Sequence, residues 1–153
     1  MLPQRHRVRA PLSEHQRALV GIGACVGSGC FSCLDYHVAR ARTVGLDDAA
    51  ILRAIEDAEC VKRSAYDETA AHARKVLGLA VQPPPDCCSE DSLEKELVWL
   101  GSAVGASAVL QTRKHLDAAR AQGITDEQIA NVVALATQAQ TCARQSLGRK
   151  LRS

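Results

Sequence analysis

Apolar residues recur along this chain at spacings of three and four, the pattern of helices that bury one face. Leu19, Val20, Ile22 and Val26 follow Ser13-Glu14-His15-Gln16, a capping-box sequence that opens a helix. Gly27-Ser28-Gly29 breaks it. A second helix is predicted from near Cys30 to about Gly45, whose position suits a C-terminal cap. Asp47 caps a third through Ile51, Leu52 and Ile55, and a further helix covers about Ala65 to Leu77. No segment reads convincingly as a strand, so the expected fold class is all-α.

The pattern then recurs. At an offset of 78 positions (115 minus 37), Leu19 falls on Leu97, Gly23 on Gly101, Gly27 on Gly105, His37 on His115 and Gly45 on Gly123, without a gap. Asp91-Ser92-Leu93-Glu94 opens the first helix of the second half, and Thr125-Asp126-Glu127-Gln128 is another capping box. The chain therefore reads as two tandem copies of one helical unit. The expected organisation is a disordered basic arm over 1–11, a first unit over 12–81, a linker over 82–88 and a degenerate second unit over 89–153. Three consecutive prolines, Pro83-Pro84-Pro85, cannot continue a helix and mark that linker.

Composition narrows the picture further. Hydrophobic residues make up 46% of the chain but aromatics only 3%, so the core is built from Ala, Val, Leu and Ile. Such a core suits close helix packing. A net charge of +2 gives no basic stripe of the kind that reads nucleic acid. The basic residues at the two ends read as solvated termini. No stretch is apolar for the roughly 20 residues of a membrane helix, and the N-terminus shows no apolar signal region. A cytoplasmic protein is expected. In that compartment seven cysteines point to thiol or metal chemistry rather than to structural disulfides.

The chemistry concentrates in Cys30-Phe31-Ser32-Cys33-Leu34-Asp35-Tyr36-His37. On a helix, positions i, i+3 and i+7 share one face, so two sulfurs and an imidazole can converge. A helix start favours thiolate over thiol, and such settings lower a cysteine pKa from roughly 8.5 to about 3.5–7.5. His37, one turn beyond Cys33, can take a proton or stabilise the thiolate. Nucleophile, resolving thiol and base are the minimum for sulfenic acid formation and disulfide closure. Two small buried cysteines, or a metal site, are the competing readings. Zinc prefers four ligands, and this helix offers three, so no metal is assigned.

This constellation, with the preceding small-residue break and the following Gly45-Leu46-Asp47-Asp48 turn, resembles the alkylhydroperoxidase-D-like and carboxymuconolactone decarboxylase family. The resemblance spans about Leu12 to Ala58, and more weakly about Ser92 to Ala136. It implies an all-α fold, assembly into trimers or hexamers (a homotrimer for a two-unit chain), and no bound cofactor. In the redox branch it makes Cys33 the nucleophile towards a small hydroperoxide or disulfide, Cys30 the resolving thiol and His37 part of a proton relay. Electrons would come from a dithiol donor such as a lipoylated protein. In the decarboxylase branch a base and a carboxylate-binding site would act on a muconolactone-like acid.

One position departs from that pattern. The family's relay glutamate would fall at Ala18, and Glu14 lies one turn earlier. In the second unit the equivalent residue is Glu96 and His115 is kept, while Ala108 and Gln111 replace the cysteines. Glu96 and His115 are thus a relay without thiols. Cys87 and Cys88 follow the prolines and are candidate auxiliary thiols. Cys25, Cys60 and Cys142 are expected in the core, Trp99 in the core or at a subunit interface, and His6, His15 and His72 at the surface.

Overall fold

The computed structural model describes residues 11–83 and 92–153. Six helices follow in order: α1 (Glu14–Ser28), α2 (Phe31–Thr43), α3 (Asp48–Val76), α4 (Leu93–Gly105), α5 (Val109–Ala121) and α6 (Asp126–Arg152). There is no strand among the described residues. The caps are those the sequence predicts. Ser13 and Gln16 close a reciprocal capping box on α1, Asp47 caps α3, and Thr125 with Gln128 repeats the box on α6. Each satisfies backbone N–H groups that a helix start leaves unpaired.

One expected boundary is absent. The third helix and the further one over Ala65 to Leu77 form a single 29-residue helix, α3. No Gly or Pro interrupts 48–76, and Val61 and Ser64 are buried midway along it. Packing therefore carries the helix straight through the segment where its apolar pattern thins.

The two three-helix sets share one core. Central to it are α1 and α4, hydrophobic nearly all round, with Val20, Ile22, Leu97 and Leu100 buried. Glycines bring their backbones together. A Cβ at Gly23 would collide with the Val98 carbonyl and one at Gly27 with that of Ser102. In the other direction, Gly101 faces the Val20 carbonyl and Gly105 that of Ala24. The two lists exchange under a shift of 78 positions (23 to 101, 27 to 105, 20 to 98, 24 to 102). Helix starts keep the same spacing, 31 with 109 and 48 with 126.

Each long helix caps the first helix of its own set of three. Lys62 on α3 donates to the Val26 carbonyl at 2.9 Å, at the C-terminus of α1, where a cation also complements the helix dipole. Gln140 on α6 donates to the Val104 carbonyl at 2.7 Å, at the C-terminus of α4. Beyond those caps the chain turns sharply, at Gly29 (φ 73°) and at Ser107 (φ 56°). Only the first of these left-handed positions holds the residue that adopts it at no steric cost.

Candidate active site

The turn at Gly29 delivers Cys30 to the N-cap of α2, with its backbone N–H donated to the Cys25 carbonyl at 3.1 Å. Cys30 is buried at 2% exposure and Cys33, one turn on, is half-buried. Cys33 packs against Cys25 from α1 and Ala136 and Ala139 from α6. It also opens onto a cavity of about 640 Å³. The α2 wall of that cavity is Ser32, Cys33, Tyr36, His37 and Arg40; α1 adds Glu14, Arg17 and Ala18; α6 adds Leu135, Gln138 and Ala139. The site predicted from one helix is thus completed by the last helix of the chain.

His37 reaches the cavity because Gly21 leaves room for it. A methyl group at position 21 would overlap the imidazole ring. Tyr36 meets the same ring edge-on at a centroid distance of 5.1 Å. Burial, and secondarily the nearby Arg17 charge, hold the His37 pKa below its ordinary value. The ring is therefore neutral near pH 7 and able to accept a proton.

The two neighbouring thiols are shifted in opposite directions, Cys30 down and Cys33 up. Burial alone would raise the Cys30 pKa, but hydrogen bonds from the Cys33 thiol and backbone, Ser32 and Cys142 outweigh it and pull the value down. The N-terminal end of α2 acts in the same direction. Burial, the bond to Cys30 and the bond to Cys142 hold the Cys33 thiol well above its usual range. The thiol whose pKa is lowered is therefore Cys30, while the sulfur that lines the cavity belongs to Cys33. Cys25 is pushed up to about 12 by burial, with the charges of Cys30 and Cys142 adding to it.

Sequence reasoning placed Cys25, Cys60 and Cys142 together in the core. Only Cys25 is fully buried and free; Cys60 is half-buried and disulfide-bonded. Cys142 is a half-buried free thiol on α6 whose sulfur lies within 4.8 Å of those of Cys30 and Cys33. The signal for it was in the sequence: Leu135, Gln138, Ala139 and Cys142 fall at i, i+3, i+4 and i+7 of one helical face. Nothing in the sequence says which thiols that face meets. Gly21, Arg17 and Arg40 were also missed. Glu14 does line the cavity, paired with Arg40. Ala18 lies on its wall where the relay carboxylate was sought. His15 is half-buried and His72 exposed; His6, Cys87 and Cys88 lie outside the described residues.

The second candidate relay is assembled but closed. His115 Nδ1 lies 2.9 Å from Glu96 Oε2, and both side chains are buried. Trp99, also in the core, packs against His115 at 5.3 Å. Gln111 donates to Glu68 of α3 at 2.6 Å. Neither Glu96 nor His115 lines the cavity that holds Cys33.

Residues 5–78 match the model of the carboxymuconolactone decarboxylase family. The similarity to this family lies in that segment, somewhat under half of the chain. The matched segment contains Cys30, Cys33, His37 and Gly21, so the family frame covers the thiol half of the cavity and stops before α6. Carboxymuconolactone decarboxylase family members are often enzymes, either oxidoreductases or decarboxylases, and include alkylhydroperoxidase-D-like peroxidases. No curated protein and no solved structure matches the chain. No helix among the described residues is long and apolar enough to cross a membrane.

Proposed function

We propose that the protein is a thiol-dependent oxidoreductase that reduces a small hydroperoxide, or a disulfide, through a Cys30–Cys33 dithiol/disulfide cycle. The observation that carries this reading is Cys33 on the wall of the 640 Å³ cavity, beside Cys30 and sharing that wall with the neutral His37.

The cycle balances with these groups. Cys33 gives its proton to His37 and attacks the terminal oxygen of the peroxide. The O–O bond breaks, Cys33 becomes a sulfenic acid, and the departing alkoxide takes the proton back from His37 to leave as an alcohol. The Cys30 thiolate then attacks the Cys33 sulfur. Hydroxide leaves and is protonated to water as the disulfide forms. A dithiol donor returns two electrons and two protons by thiol–disulfide exchange. A lipoylated protein as donor and a homotrimeric assembly are parts of this proposal that rest on the family resemblance. A cytoplasmic setting and the reading of the chain as two tandem units also belong to it, the latter resting on the match of the two halves at an offset of 78 positions.

Peroxide-dependent oxidation of dihydrolipoamide by the protein and by Cys33→Ser tests it. Turnover by the parent that vanishes in the variant supports the cycle; equal rates in both contradict it. The decarboxylase branch is the second reading, favoured by one observation. Arg17 and Arg40 line the same cavity as His37, so cationic groups and a base face one space. Loss of a carboxylate from a lactone acid that survives Cys33→Ser would select it.

A further inference from the structure

Three thiols, not two, meet at the head of α2. The sulfurs of Cys30, Cys33 and Cys142 all lie within 4.8 Å of one another. Cys30 and Cys33 come from the N-cap and first turn of α2, and Cys142 from the middle of α6, so the cluster joins both ends of the chain. A dithiol cycle needs only two of them.

We propose that Cys30, Cys33 and Cys142 form a three-sulfur binding site for a soft monovalent cation of the Cu⁺ class. Thiolates select such ions over harder ones. Metal–sulfur bonds of about 2.3 Å, as found for zinc thiolates, place the sulfurs of a three-coordinate site roughly 4 Å apart. The observed separations therefore need little movement. Structural zinc closes its shell with four ligands. Among the described residues the cluster holds three sulfurs, one short of that shell. A low-coordinate ion thus fits the donor set better than a tetrahedral one. The site goes beyond the redox reading but shares two residues with it. A Cys30–Cys33 disulfide removes two of the three donors, so cation binding and the oxidised state exclude each other.

The test is a Cu⁺ titration of the full chain, kept reduced by a phosphine and run against a chromophoric Cu⁺ chelator. Parent and Cys142→Ala are compared, with X-ray absorption at the copper edge on the parent. Every other thiol is common to both proteins, so their difference isolates the cluster. Matching circular dichroism of the two shows that α6 still folds, as expected for a half-buried Cys replaced by the best helix former. The expected result is three sulfur scatterers per copper and affinity at least about tenfold weaker in Cys142→Ala. Outer partners of metal ligands already contribute about that much, and a direct ligand contributes more. Equal affinity in the two proteins, or only two sulfurs around the copper, would overturn the proposal. Because no turnover is measured, failure here leaves the redox reading standing, and failure of turnover leaves the cation site standing.

Discussion

His37 and His115 stand 78 positions apart, each on the helix that follows a sharp turn, yet one faces a cavity and the other is sealed. The difference lies in the residues around each imidazole. Gly21 beside His37 adds no side chain and leaves the ring room to reach the cavity. The residue 78 positions on is Trp99, whose ring packs tilted against His115 at a centroid distance of 5.3 Å. Cys30 and Cys33 correspond to Ala108 and Gln111, so the open site has sulfur and the closed one has none. Ala18 corresponds to Glu96, which puts a carboxylate only in the closed site. Both places are completed by the long helix of the opposite set: α6 at the thiols, and α3 through Glu68 at Gln111. An open, sulfur-bearing site suits chemistry, and a buried, hydrogen-bonded one suits stability.

The largest expected effect comes from closing the open site. Gly21→Ala sets a methyl group into the His37 ring, so the imidazole must leave its position. Turnover should fall by about 10²–10⁴, the usual worth of a positioned acid–base group. Stability should fall by only about 1–3 kcal/mol, as for other overpacked sites. Steady-state assay and urea unfolding separate the two. A variant that turns over like the parent breaks the assignment of His37.

Opening the closed site should have the opposite profile. Glu96→Ala takes away the buried carboxylate 2.9 Å from His115 and should cost about 3–5 kcal/mol in chemical denaturation. Rate per folded molecule should stay unchanged. A large fall in rate without loss of stability would show that Glu96 and His115 serve the reaction.

The pH profile sharpens the contrast at His37. Its folded pKa lies below the ordinary 6.5, so the unfolded chain binds the proton more readily. The stability this contributes is fully present above pH 6.5 and is lost as pH falls through the lowered value. Activity should follow the same direction, holding to just below pH 6.5 and falling on further acidification. That acid limb should vanish in His37→Gln. The smallest effect is expected from Ala18→Glu, which copies Glu96 onto the wall of the open cavity. A several-fold gain in turnover, below the roughly 10²–10⁴ that a principal proton-transfer group contributes, is the predicted result, with the acid limb moved upward by the new carboxylate.

Local sequence held much of this molecule. Capping boxes at Ser13 and Thr125, the cap at Asp47 and the turns at Gly29, Gly45 and Gly123 are short-range features, and each falls where its residues require. The fused α3 was not legible, because its second half is held by burial of Val61 and Ser64 rather than by its own pattern. At the site, Cys30, Cys33 and His37 were legible because one helix carries all three. Cys142 and the α6 wall were not, since a periodicity tells which face of a helix is buried and not what it is buried against. Gly21 was invisible for a related reason: its role is a space, defined only by the ring that enters it.

The central claim is that the open site cycles between dithiol and disulfide, and locating the first oxidation product tests it most directly. Stoichiometric alkyl hydroperoxide, rapid acid quench, alkylation of free thiols and peptide mass spectrometry would identify that product. A disulfide joining Cys30 and Cys33, formed before any other cysteine reacts and absent in Cys33→Ser, is what the account predicts. Cys33 remaining alkylatable while other thiols oxidise would contradict it.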